Sequence, residues 1–141
     1  SFDRNVKRNK WGREVNPRVM YTALIEIKER YNNPLILITE NGHGMYETPD
    51  ENGFVEDDER IEVFEQFLDY MLKAKQDGVN VKGYYHWSTM DLYSWINGFE
   101  KRYGLVRVDF ENDFRRIPKK SYFWYRDFIN KYYENVSSYK Q

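Results

Sequence analysis

The chain has no cysteine, only two histidines, and a net charge of -1. The first absence excludes a disulfide framework and every thiolate-based metal or redox chemistry, and it fits a reducing compartment, so a cytoplasmic protein is expected. The second leaves His43 and His86 with no third ligand at metal spacing; both read as structural, and neither a metal nor a cofactor is expected. With 22 basic residues against 23 acidic ones, no excess of either sign points to nucleic acid or a membrane surface as a partner. No apolar run approaches the ~18 residues of a spanning helix, and no charged-then-apolar leader opens the chain. The first residue is Ser1 rather than methionine, which leaves an upstream segment open.

What the chain does have is aromatic side chains: 13 Tyr, 9 Phe and 4 Trp among 141 residues. Aromatic faces fill cores, and they also stack on the apolar C–H faces of sugar rings. The length suffices for one domain, which at this size buries roughly two-thirds of its unfolded surface.

Residues 1–16 are polar and basic without periodicity and read as a loop or arm. Asn16 is a candidate N-cap and Pro17 suits a first helical turn; Met20, Leu24, Ile27 and Tyr31 then repeat at helical spacing until Asn32-Asn33-Pro34 stops them. Leu35 to Thr39 is a continuous aliphatic run, the pattern of a strand buried on both faces. Residues 42–56 read as a long polar loop, and Asp57-Asp58-Glu59 as the solvated start of a helix that Asp77-Gly78 ends. A second strand is expected over Val79 to Trp87, a strand-like stretch over Leu105 to Phe110, and a last helix from Pro118 to about Tyr132. Helix, strand, loop, helix, strand is a βα repeat, and its two parallel strands are too few to make a covered sheet alone.

Glu40 stands directly after the first strand, in Ile38-Thr39-Glu40-Asn41-Gly42, where parallel α/β folds place reactive groups. By position alone it is either a catalytic carboxylate or a strand-end acid capping a loop. Thr-Glu-Asn-Gly after an apolar strand resembles the nucleophile motif of glycoside hydrolase family 1, whose members fold as (β/α)8 TIM barrels. Gly78 to Tyr84 followed by Trp87-Ser88 and Asp91 resembles the last barrel strand of that family. Lys101 to Leu105 with Val108-Asp109, and Arg116 with Pro118 to Ser121, extend the resemblance over nearly all of residues 11–130. It implies an α/β fold in which residues 1–141 are a single partial domain, the C-terminal portion of a TIM barrel. Strands seven and eight with their flanking helices are present and the first six strands are not.

The resemblance also implies chemistry. Glu40 would be the nucleophile of a retaining β-glycosidase, whose second carboxylate lies about 5–5.5 Å away. The family's acid/base sits in Thr-x-Asn-Glu-Pro, a string this sequence does not contain. Glu47, Glu51 and Glu56 are poor substitutes in a polar loop, because a general acid needs burial to raise its pKa. Ser94 stands where ordinary β-glucosidases carry a glutamate; with Lys101 and Tyr103 it resembles the phosphate site of 6-phospho-β-galactosidases and 6-phospho-β-glucosidases. Trp87 would lie under the sugar ring, and Trp95 favours the galactose type. A phosphorylated disaccharide or β-glycoside is the implied substrate. Two further readings stand beside this one: an ordinary β-glucosidase, and a non-catalytic fragment that self-associates or completes an N-terminal barrel portion through its exposed strand edges. The isolated chain is expected to be inactive, with its acid/base missing.

Overall fold

A computed structural model describes residues 15–138; the arm expected over 1–16 lies almost wholly outside the described residues. The element order is α1 (Arg18–Arg30), β1 (Ile36–Asn41), α2 (Asp58–Gln76), β2 (Val81–His86), β3 (Val106–Asp109), β4 (Arg115–Pro118) and α3 (Lys120–Ser138). The chain divides into two compact units. Residues up to Thr39 and Glu62–Tyr84 form the first, and Glu40–Ile61 with the chain from Tyr85 onward the second.

In the first unit the helix ends are set by local chemistry. Pro17, not Asn16, holds the N-cap of α1, and no side chain caps it. Asn32 and Asn33 both adopt positive φ, and the Asn33 amide reaches back to the Lys28 carbonyl at 2.8 Å, closing α1 as its paired asparagines predict. Gly78 (φ 89°) ends α2: its amide bonds the Lys75 carbonyl and the Val79 amide bonds that of Ala74, the paired bonds of a Schellman motif. The Asn33 side chain donates to Gly78 O at 3.0 Å and accepts from the Asn80 amide at 3.1 Å, fixing where both strands begin. Leu24, Val63, Phe64, Leu68, Met71, Ala74, Val79 and Val81 are the buried apolar residues of this unit.

β1 and β2 are hydrogen-bonded neighbours. The Ile36 amide bonds Asn80 O near one end and the Trp87 amide bonds Asn41 O near the other, so the two strands run parallel, as the βα repeat predicts. Burial on both faces is not observed. β1 alternates half-buried with exposed positions, and Leu37 is 49% exposed. One set of alternate β1 side chains is half-buried and the other, with Leu37 and Thr39, is exposed.

In the second unit β3 pairs antiparallel with β4, with Val106 opposite Pro118 and Asp109 opposite Arg115. β4 carries no alternating apolar pattern, being Arg-Arg-Ile-Pro, so only its partner strand reveals it. Pro118 ends β4 instead of opening α3, which starts at Lys120. Asp57 decides that start: its carboxylate accepts from the Ser121 amide at 2.8 Å and from the Ser121 hydroxyl at 2.6 Å. A helix cap supplied from 64 residues away is invisible to local pattern.

The contrast between buried and exposed leucines is measurable. Leu68→Ala, at a position 2% exposed, is expected to lower unfolding free energy by about 2–5 kcal/mol. Leu37→Ala is expected to cost under about 1.5 kcal/mol. Urea unfolding followed by circular dichroism checks both, and equal losses would contradict the burial pattern.

Candidate active site

The two parallel strands end side by side, and the segments that follow are pressed together. A Cβ on Gly42 would stand 1.7 Å from the Trp87 carbonyl oxygen, so only glycine lets the chain after Glu40 lie against the chain after β2. Glu40, in the last turn of β1, is exposed; Trp87, just past β2 and joined to Ser88 by a cis peptide, is 40% exposed. The structure therefore sets Glu40 and Trp87 on neighbouring strand ends.

Beyond Trp87 the chain returns to meet itself. The Ser88 amide bonds Tyr103 O at 3.1 Å, the Leu105 amide bonds Ser88 O at 3.0 Å, and Met45 and Arg102 exchange backbone bonds of 2.9 and 2.8 Å. Between these ties Ser94 and Gly98 exchange backbone bonds of 2.8 and 2.7 Å, closing a tight turn. Tyr93 and Phe99 meet edge to face at 5.1 Å below it. Trp95 is at the tip and 97% exposed, apart from the other expected site residues. Inside the turn the Asn97 side-chain amide donates to Ser94 Oγ at 3.3 Å and to the Tyr103 hydroxyl at 3.2 Å. The Tyr103 ring lies on Gly44, where a Cβ would come within 2.6 Å of its carbons. Lys101, half-buried on the same segment, is near enough for its charge to help lower the pKa of His43. Ser94, Lys101 and Tyr103 thus share one loop, and Asn97 joins two of them. Asn97 stands outside the set of residues expected from the sequence, where its mark is an amide three residues after Ser94, just before a glycine.

The sequence matches the family model Glycosyl hydrolase family 1 over residues 1–133. The chain belongs to glycosyl hydrolase family 1. It is 45% identical over 128 residues to a 6-phospho-beta-galactosidase of Staphylococcus epidermidis, covering 89% of this chain and 27% of that protein. A 6-phospho-beta-galactosidase of Leptotrichia buccalis is 46% identical over 123 residues, covering 86% and 26%. Among solved structures, a family 1 b-glucosidase from Thermotoga maritima superposes with a TM-score of 0.85 at 36% identity, over 92% of this chain and 29% of that one. The chain spans about a quarter of the length of these curated relatives, and its fold is a portion of a family 1 TIM barrel.

Beneath the loop this family 1 chain buries a cluster of charges, all in the second unit. Arg60, fully buried, donates to the carbonyls of His43 (2.6 Å), Arg102 (3.0 Å) and Tyr103 (3.3 Å), to Asp57 at 2.8 Å, and to Glu47. Lys119 bonds Glu47 at 2.7 Å and Asp91 at 2.9 Å. Asp91 also accepts from the amides of Gly104 and Val108, and Arg102 approaches it at 3.8 Å. Two expectations change here. Asp57 is buried at 3% exposure rather than solvated, and the Glu47 carboxylate lies beneath the surface, tied to two cations, rather than in a polar loop. Burial and the neighbouring Arg60 charge both hold Lys119 below the usual lysine range, against the pull of Glu47 and Asp91.

The same two causes, burial first and Arg60 second, push the pKa of His86 down to about 3 and lower that of His43. An unfolded histidine titrates near ~6.5, so below that pH the unfolded chain binds a proton that the folded chain refuses, until His86 itself titrates. Stability from His86 is thus present above pH ~6.5 and is lost as pH falls toward 3, by up to about 1.4 kcal/mol per pH unit. Urea midpoints measured between pH 7 and pH 5 are expected to fall, and less steeply in His86→Gln; an unchanged slope would remove His86 from this account. Arg60→Met, which strands buried carboxylates and carbonyls, is expected to cost about 3–5 kcal/mol. Arg60→Met combined with Glu47→Leu should recover part of the loss in the same urea assay.

Proposed function

We propose that this chain carries the nucleophile and the 6-phosphate pocket of a retaining 6-phospho-β-glycosidase of galactose type. The observation that supports it most is the loop on which Ser94, Asn97 and Tyr103 are hydrogen-bonded together beside Lys101. A phosphate dianion needs converging donors and a cation, and charge-assisted bonds of this kind contribute roughly 1.5–3 kcal/mol each. A carboxylate at position 94 would repel it. Relatives named 6-phospho-beta-galactosidase, at 45 and 46% identity, support the galactose type, as does Trp95.

On this reading Glu40 attacks the anomeric carbon and forms a covalent glycosyl intermediate, while Trp87 offers its face to the sugar ring. A second carboxylate about 5–5.5 Å away protonates the leaving oxygen and later activates water. Among the described residues no acid suits that role: Glu47 is bound to Arg60 and Lys119, and Glu51 and Glu56 are exposed. The isolated chain is accordingly inactive, and activity belongs to an assembly in which the exposed faces of β1 and β2 meet the remaining barrel strands. Residues 1–141 are on this view one partial domain. No described helix is long and apolar enough to cross a membrane; a doubly charged phosphosugar does not cross one unaided, which supports a cytoplasmic site of action.

A chromogenic 6-phospho-β-galactoside tests the proposal. No turnover is expected from the chain alone; turnover that Glu40→Gln abolishes would refute the claim of inactivity. Combined with an N-terminal barrel portion, the chain should hydrolyse the phosphorylated substrate in preference to its unphosphorylated counterpart. Lys101→Ala should collapse that preference by roughly tenfold or more. A preference untouched by Lys101→Ala would favour the ordinary β-glucosidase reading instead.

A further inference from the structure

We infer that Asn97 sets the preference for an anionic substituent by forcing the hydroxyls of Ser94 and Tyr103 to act as donors; the inference rests on the phosphate-pocket reading above. A hydroxyl has one proton and two lone pairs, and it serves as donor or acceptor according to its neighbours. Ser94 Oγ already accepts from three N–H groups: the Ile96 amide at 3.4 Å, the Asn97 amide at 3.3 Å and the Asn97 side chain at 3.3 Å. With its lone pairs occupied, its proton is what it has left to give. The Tyr103 hydroxyl accepts from the same Asn97 amide group at 3.2 Å, so its proton too is directed elsewhere. The ring that carries it lies against Gly44, where a Cβ would displace it.

One side-chain amide, spending both of its N–H bonds, thereby polarises two hydroxyls in the same sense. Beside the Lys101 ammonium, a group that carries donors and no acceptor atom, the loop then offers donors alone. A phosphate dianion has only acceptor oxygens to match them, whereas a plain sugar hydroxyl at the same place would use one of these donors and leave its own proton unmatched. Asn97 touches neither phosphate nor reacting atoms in this scheme. It is a positioning residue.

Two near-isosteric substitutions separate the effects. Asn97→Leu removes both side-chain donations without adding charge and lets the Tyr103 hydroxyl rotate, while Ser94 Oγ keeps its two backbone amide donors. Asn97→Asp reverses the polarity at Tyr103, since a carboxylate accepts from its hydroxyl and turns its lone pairs toward the ligand, and at Ser94 it competes with the ligand for the hydroxyl proton. The 141-residue chain would be titrated with galactose 6-phosphate and with galactose, following backbone amide resonances, and the ratio of the two affinities compared. The ratio is expected to fall about tenfold in Asn97→Leu, the equivalent of one charge-assisted hydrogen bond, and further in Asn97→Asp. Lys101→Ala serves as the reference for the pocket itself. If the unaltered chain shows no preference for the phosphorylated sugar, the pocket reading falls and this inference with it. If the preference exists and Lys101→Ala abolishes it, yet both Asn97 variants keep it, only the inference is overturned. Equal loss of both sugars, with displaced Ser94 and Gly98 resonances, would assign Asn97 to the turn alone and also overturn it.

Discussion

The guanidinium of Arg60 is the contact on which the candidate site rests. Its fork of N–H donors is rigid and planar, so its acceptors must come to it in fixed positions. Three of them are carbonyls of His43, Arg102 and Tyr103. Those belong to the two segments that carry Gly44 on one side and Lys101 and Tyr103 on the other, and the Met45–Arg102 backbone pair only repeats locally what Arg60 fixes from below. The remaining acceptors, Asp57 and Glu47, extend the constraint: Asp57 starts α3 at Ser121, and Glu47 holds Lys119, which reaches Asp91. Loop geometry, helix start and hairpin are thus tied through one buried cation.

Three carboxylates, Asp57, Glu47 and Asp91, face three cations, Arg60, Lys119 and Arg102. Desolvation offsets much of the attraction in such a group, so its contribution is to defined geometry more than to net stability, and the damage comes from removing one member. The same field explains the histidines. His43 and His86 lie within reach of Arg60 and are half-buried, and both effects favour the neutral ring. Lys101 adds to the effect at His43. A phosphate dianion paired with Lys101 would cancel that share, so occupancy of the proposed pocket and protonation of His43 are coupled in sign.

What could be read from the sequence was local. The ends of α1 and α2 followed from Asn32-Asn33 and Gly78, the strands from aliphatic runs, and the placing of Glu40 from its position after one of them. The resemblance to family 1 extended this to the barrel and to the loop bearing Ser94, Lys101 and Tyr103. What stayed hidden was long-range pairing. Asp57 looked like an ordinary acid at a helix start because its partner Ser121 is 64 residues away, and Glu47 like a loop acid because Lys119 is 72 residues away. β4 has no pattern apart from its partner. Asn97 was missed for a different reason: its role lies in the direction of two donated protons, which neither spacing nor composition encodes.

The division of the chain keeps the expected site residues together. Glu40, Trp87, Ser94, Trp95, Lys101 and Tyr103 all lie in the second unit, together with the charge cluster that positions the loop. The proposed phosphate pocket therefore lies within that unit, where hydrogen bonds join Ser94, Asn97 and Tyr103. The proposed catalysis is not complete there, because a retaining mechanism needs a second, burial-tuned carboxylate and the nearby acids are either committed to cations or exposed. Phosphate affinity and turnover are on this view carried by different parts of the barrel. The first can then be studied apart from the second, with Glu40 present as an exposed strand-end carboxylate and no suitable partner acid among the described residues.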